Sequence, residues 1–521
     1  MSFSEKAEFG TLRSIFWPIY KHELKRVVPM LLMLFLITFN YTILRNMKDA
    51  LVVTAQSSGA EVIPYIKVWV MLPMALLVTI LFIKLTNKFS QERVFYLIIS
   101  GFLAFFAFFT FFLYPYRDAL HPHALADSLQ ALLPPGLKGM VAMFRNWTFT
   151  IFYVMSELWS SMVMTVLFRG FANEITKVAE AGRFYSVIGV GANLSAIVAG
   201  QIGVYFSSIQ YNPAFPFGKD AWDQTLIVLV SAVIVAGILT MGIFRWMSRN
   251  VLTDASFDEF HLSKKEFKAK RKLSMRDSFK FLSESRYLAC IAVIVVAYNL
   301  VINLVEVVWK DQLHNLYPNP GDYNTYMNNV TTIIGILSTL MAFAMARLLT
   351  SFGWTKVALI TPVVMLITSA GFFIFVCFSD SLSSLALTAF GTTPLALAVF
   401  FGTSQNCLSK AAKYSVFDAS KEMAFIPLSH DIKLKGKAAI DGVGSRLGKS
   451  GGSLIHQGLL MLFTTLTFSA PYVAVILMAV IFMWIGSVRT LGKLFDDLVD
   501  SEEPKASEPE IITPEPKAAQ A

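Results

Sequence analysis

Cysteine is nearly absent. There are three in 521 residues, Cys290, Cys377 and Cys407, each inside an apolar run. That excludes a disulfide framework, and the lack of any C-x-x-C pair removes the commonest thiolate metal sites. Charge is scarce too. Asp, Glu, Lys and Arg make up 15% of the chain against 55% hydrophobic residues, with a mean hydropathy of +0.58. This composition excludes an ordinary soluble domain and fits a polytopic membrane protein. The polar start, ending in KHELKR (21–26), has no apolar leader segment, so the run that follows is read as the first span and not as a cleavable signal. No cofactor motif, metal-ligand spacing or hydrolytic constellation is visible.

What is present is a series of apolar runs, each of the roughly 20 residues that cross a bilayer as a helix. They lie near 27–44, 62–83, 94–113, 140–168, 184–206, 225–246, 287–309, 329–348, 357–378, 387–408, 438–468 and 471–492. The fourth is the least regular, because it contains Arg145 and Glu157. Lys and Arg collect in alternate connections. They fall in the amino-terminal arm, the second loop (Lys84, Lys88, Arg93), the fourth (Arg169, Lys177, Arg183), the central loop around KKEFKAKRK (264–272) and the tenth (Lys410, Lys413, Lys421, Lys433, Lys435, Lys437). The positive-inside rule then places both termini and the central loop in the cytoplasm. The central basic run is a topology signal, not a nucleic-acid site.

The expected fold is an all-α polytopic membrane protein of about twelve helices in two pseudo-symmetric halves, the plan of major-facilitator transporters. The divisions are an arm (1–26), a first half (27–246), the central loop (247–286), a second half (287–492) and an acidic, Pro-rich tail (493–521) expected to be disordered. An internal echo supports the repeat. GRFYSVIGVGANL (182–194) and GKAAIDGVGSRL (436–447) align with one gap, on the fifth and eleventh runs.

Charges inside spans are costly and mark cavities or partners. Lys67 either snorkels to the interface or faces a central cavity. Glu157 is too deep to snorkel and reads as a packing pair or a site residue. Glu306 and Lys310 are spaced as an intrahelical ion pair and stay open between that role and a site. Arg446 and Lys449 share a helix face three residues apart and repel each other, so an anionic ligand is the simplest reason to keep both. A polyanion would bind the cations and displace the carboxylates. GVGSRLGKS (442–450) nearly matches a phosphate-binding loop, but Val443 stands where its first glycine belongs and no strand precedes it. His121 and His123 read as exposed loop residues, and His456 as a packed histidine.

YTILRNMKDALVVTA (41–55), YVMSELWSS (153–161), NLVEVVWK (303–310), KYSVFDASKEMAFIPL (413–428) and KGKAAIDGVGSRLGKSGG (435–452) resemble the nucleotide transporters of plastids and obligate intracellular bacteria. The chlamydial-type ATP/ADP translocases are the most similar. The resemblance runs from about 27 to 490. It implies import of host ATP in exchange for ADP across a bacterial inner membrane, with phosphate accompanying ADP in some relatives. It also implies transport roles for Lys67, Glu157, Glu306 and Lys449. Arg446, Lys310 and Asn193 complete the candidate substrate-binding set. A monomer suffices for this plan, with membrane lipid around it. A proton-coupled importer using Glu157 or Glu306, a membrane ATPase and a non-transporting nucleotide receptor are the rival readings.

Overall fold

The computed structural model describes residues 13, 17–176, 178–251, 285–428, 432, 436–437, 440 and 444–502. The central loop, most of the acidic tail and residues 441–443 of the second glycine-rich stretch therefore lie outside the described residues. Among those described, helices account for the architecture and no strand occurs. Ten helices are long and apolar enough to cross a membrane. They are α1 (Lys21–Val53), α2 (Val62–Lys88), α3 (Gln91–Leu113), α4 (Trp147–Ile175), α5 (Arg183–Ser207), α6 (Ala221–Asn250), α7 (Arg286–Leu316), α8 (Pro320–Ala344), α9 (Ser351–Cys377) and α12 (Leu466–Leu498). A broken span adds α10 (Pro394–Ala424), bent by 74° from the short helix Ser383–Phe390. The bend falls at Gly391, which takes a left-handed φ of +65° that side chains resist. The remaining helix, α11 (Ser445–Phe463), carries Arg446, Lys449 and His456 and is the most polar of the set.

Several boundaries differ from those read in the sequence. The fourth run is split at Asn146, so Arg145 ends a separate short helix, Lys138–Arg145, and pairs with Asp127 at 2.6 Å. α8 begins nine residues before 329, because Asn324 and Asn328 are buried between helices instead of capping a loop. α10 runs on past 408, so Lys410 belongs to a helix and not to a loop.

Packing follows from the side chains. α2 turns Leu76, Leu77, Ile80 and Leu81 outward, each about half exposed or more, as suits a helix against lipid. Where helices must approach closely, small residues line the contact. A Cβ on Gly200 of α5 would stand 2.8 Å from the Asn328 carbonyl of α8, and one on Gly335 of α8 would stand 3.0 Å from the Asn193 carbonyl of α5. In the same way Gly448 and Gly452 seat α11 against Asn299 and Asn303 of α7. The partnerships repeat. α5 packs on α1 and α8, and α11 packs on α7 and α2. That is what a twofold axis between the halves requires.

The segment between α3 and α4 also departs from expectation. His121 is buried, not exposed. Its Nε2 is 2.7 Å from Thr148 Oγ1, and its ring stands edge-on to Phe149. His123 is partly buried beside it. Burial first, and then the neighbouring His123, push the His121 pKa down to about 4. An unfolded histidine titrates near 6.5. The unfolded chain therefore takes up the proton first, and stability present above about pH 6.5 is lost as pH falls toward 4. His121→Gln should flatten that part of the curve. The difference in melting midpoint between pH 7 and pH 5 should shrink in the variant, and an unchanged difference would refute the assignment.

Candidate functional site

The charged residues of the spans meet where α1, α4, α7 and α10 converge. Glu306 and Lys310 lie one turn apart on α7, with Glu306 Oε1 3.5 Å from Lys310 Nζ. Lys310 also reaches across to the other half, where its Nζ is 2.8 Å from Asp49 Oδ2 on α1. Asp49 Oδ1 accepts from Lys48 Nζ at 2.9 Å, and Lys48 in turn meets Glu157 Oε1 on α4 at 3.0 Å. Lys410 of α10 closes the other end, 3.2 Å from Glu306 Oε1. The ring of Tyr153 lies under Lys48 Nζ at 3.7 Å, a cation–π contact. Lys48, Asp49 and Lys310 are each about 2% exposed or less in their side chains or overall, whereas Glu157 and Glu306 remain partly open at 30% and 21%. The network thus has a sealed centre and accessible ends.

Lys67 belongs to the same region. It lies in a π-helical turn, Ile66–Met71, just before Pro73. Proline has no N–H to give the carbonyl four residues back, which favours such a widened turn. Its electrostatic neighbours are Glu306, Lys310, Glu157 and Lys48. It faces the network and does not snorkel outward. Among the described residues it makes no ion pair.

Arg446 and Lys449 are exposed at the start of α11, and the helix itself shows which way they face. Leu447, Leu454 and Met461 form its exposed apolar side, the side suited to lipid. Lys449 lies on the opposite side, and Arg446 on the flank between. Following Lys449 along its stripe reaches Ser453, His456 and Leu460, all buried. Following Arg446 reaches Gln457, whose amide donates to the Pro64 carbonyl at 2.9 Å and whose carbonyl accepts from the Trp69 indole at 3.1 Å, both on α2. His456 packs as expected, its Nε2 3.2 Å from the Leu304 carbonyl. Lys449 therefore lies on the inward stripe of α11 and Arg446 on its flank toward α2, both exposed at the first turns. Gly448 sits against Asn299, so Lys449 lies roughly 10 Å of helix below Glu306.

Hydrogen bonds joining the halves gather toward the end of the bundle away from the chain termini. Asn324 bonds Ser207, Gln201 bonds Thr332, and Asn46 bonds both Asn328 and Thr331, at 2.8 to 3.1 Å. Leu460 packs there against Gly136. Lys449 and Arg446 lie at the other end, where α1 begins and α12 ends. Of the candidates, Lys67, Glu157, Glu306 and Lys310 are brought together. Lys449 and Arg446 stand below them, and Asn193 lies at the α5–α8 contact apart from the network. Lys48, Asp49 and Lys410 were not anticipated. One sequence signal points to the first two. Lys48-Asp49 in α1 recurs as Lys310-Asp311 in α7, the first helix of each half.

A bundle of membrane-length helices around a charged seam is the fold of major-facilitator proteins. A D-xylose–proton symporter shares this fold with a TM-score of 0.53 at 13% identity, covering 88% of this chain and 97% of the symporter. The family model for the TLC ATP/ADP transporter matches residues 2–495. ADP,ATP carrier protein 1 of Chlamydia pneumoniae is 48% identical over 499 residues, covering 95% of this chain and 96% of the relative. ADP,ATP carrier protein 2, chloroplastic, of Arabidopsis thaliana is 44% identical over 480 residues, covering 92% and 76%. The chain belongs to the TLC ATP/ADP transporter family and is a multi-pass membrane protein.

Proposed function

We propose that this protein exchanges ATP for ADP across a bacterial inner membrane by alternating access, with both termini in the cytoplasm. One observation carries the reading. Each of the carboxylates Asp49, Glu157 and Glu306 already holds a lysine, while Lys67, Lys449 and Arg446 face the same seam without an ion pair among the described residues. A nucleotide polyphosphate supplies the missing negative charge. Lys449 and Arg446 take the phosphates as they enter from the terminus-bearing end, and Lys67 receives them deeper in. Glu157 and Glu306, being partly open, are the carboxylates that the substrate can displace or use to read base and ribose.

Exchange then has a physical cause. Closing the halves around an empty site would bury uncompensated cations, at several kcal/mol each. With nucleotide bound the charge is compensated and reorientation becomes accessible. Liposomes carrying the protein should take up labelled ATP when ADP is inside and take up little when it is not. Equal uptake in both would reject obligatory exchange. A proton-coupled importer is less favoured, because Glu157 and Glu306 are each held by lysine. Uptake into empty vesicles driven by a pH gradient alone would restore it. Phosphate on the ADP side would show as ADP efflux that requires phosphate.

A further inference from the structure

We propose that the segment between α3 and α4 carries a strap that locks the joined end of the two halves, with Gly136 as its point of closure. The inference rests on the alternating access proposed above, and not on which nucleotide is carried.

The strap is LLPPGLKG (132–139). Pro134 and Pro135 fix their φ angles and offer no N–H, so the chain reaches the seam stiff and turns there in one short helix, Pro135–Leu137. Its anchors lie in the first half. The Tyr65 hydroxyl of α2 donates to the Gly136 carbonyl at 2.6 Å. Lys138 Nζ is 3.0 Å from Glu61 Oε1, at the residue before α2. Gly139 lies so close that a Cβ there would stand 2.5 Å from the Glu61 carbonyl. Toward the second half the strap presents bare backbone. A Cβ on Gly136 would stand 2.5 Å from the Leu460 carbonyl oxygen and 2.7 Å from the Met461 Cα, both of α11. A change of rotamer cannot relieve a contact with backbone. The φ of Gly136 is not positive, so the turn itself would accept a side chain. The missing Cβ serves the approach of α11 instead.

Charge adds a second hold. Glu61 of the first half and Asp311 of α7 repel each other across the seam, and Lys138 attracts both. Because its bonds run to α2 and Glu61, the strap stays with the first half when this end opens, and α11 leaves it. A methyl group at position 136 therefore works against the closed arrangement alone. Overpacking of this kind costs about 1–3 kcal/mol. At 1.4 kcal/mol per decade, the ratio of open to closed rises about five- to more than a hundred-fold.

The experiment is maleimide labelling of the full chain in detergent, with Cys290, Cys377 and Cys407 replaced by alanine and one reporter cysteine added. Thr332→Cys reports from the α5–α8 contact, away from the strap, at a position 8% exposed and bonded to Gln201. Gly136→Ala should speed its labelling by the factor above. Thr240→Cys, on α6 and fully buried, should keep its wild-type rate, because the first half itself is not loosened. Lys138 is 47% exposed, so Lys138→Gln should fold, and it should speed Thr332→Cys by up to about five-fold at low salt. If Gly136→Ala fails to fold, the Lys138→Gln rate decides in its place. A Thr332→Cys rate shared with the wild type would overturn the strap. So would an equal rise at Thr240→Cys, which would mean general loosening. A Thr332→Cys reporter that is never labelled in any variant, with or without nucleotide, would overturn alternating access and the strap with it.

Discussion

Asp49→Asn should abolish nucleotide exchange and destabilise the folded protein by about 3–5 kcal/mol, the cost of stripping one partner from a buried ion pair. Asp49 is 1% exposed and stands between Lys48 at 2.9 Å and Lys310 at 2.8 Å. Neutralising it leaves two ammonium groups close together in a sealed, low-dielectric site. Lys48 keeps Glu157 at 3.0 Å. Lys310 keeps only the longer 3.5 Å contact with Glu306, which Lys410 shares at 3.2 Å, so three lysines are left with two carboxylates. The pair with Lys310 is also the ionic link between α1 and α7, so its loss loosens the halves against one another. A second substitution separates the charge effect from simple disruption. Lys310→Met in the Asp49→Asn background removes the cation in excess, leaving Glu306 to Lys410 and Glu157 to Lys48, so the double variant should regain part of the lost stability. Two changes in direct contact are expected to be non-additive in this way. Thermal unfolding in detergent measures both. A single variant that melts within a degree or so of the wild type would overturn the account of the network.

Much of this was legible in the sequence, and the parts that were not have identifiable reasons. Long apolar runs announced the helices because a bilayer leaves the backbone no other hydrogen-bonding partner. Glu306 and Lys310 could be read as a pair because an (i, i+4) spacing needs no tertiary information. Lys48 and Asp49 could not. Adjacent residues on a helix do not face each other, so their roles depend on α4 and α7, which only the fold brings near. Lys410 reads as a loop residue in the sequence because the tenth apolar run, 387–408, ends just before it. In the structure Gln405, Asn406 and Ser409 are buried, and the helix continues to Ala424. His121 shows the opposite error. Loops between spans usually lie in water, but here short helices fold the segment back over Phe149 and enclose the ring.

Lys449→Gln should separate function from stability in the reverse sense to Asp49→Asn. Lys449 has no acidic partner among the described residues and is solvated at the first turns of α11. Removing its charge therefore leaves no buried carboxylate uncompensated. It also relieves repulsion from Arg446, three residues earlier on the same helix. The melting midpoint should stay put or rise slightly. Transport should fall steeply. A hydrogen bond to a charged group is worth about 1.5–3 kcal/mol, which at 1.4 kcal/mol per decade is a loss of roughly ten- to more than a hundred-fold in apparent affinity. Lys449→Arg, which keeps the charge, should retain part of the activity. Arg446→Gln should repeat the pattern more weakly if the phosphates lie deeper along the seam, toward Lys67. Uptake by counter-exchange in liposomes, measured with the melting midpoint on the same preparation, decides the matter. If Lys449→Gln lost stability in step with transport, the lysine would be a structural residue. If it lost neither, the polyphosphate would have to be held by the deeper cations alone, and the inward face of α11 would have no part in binding.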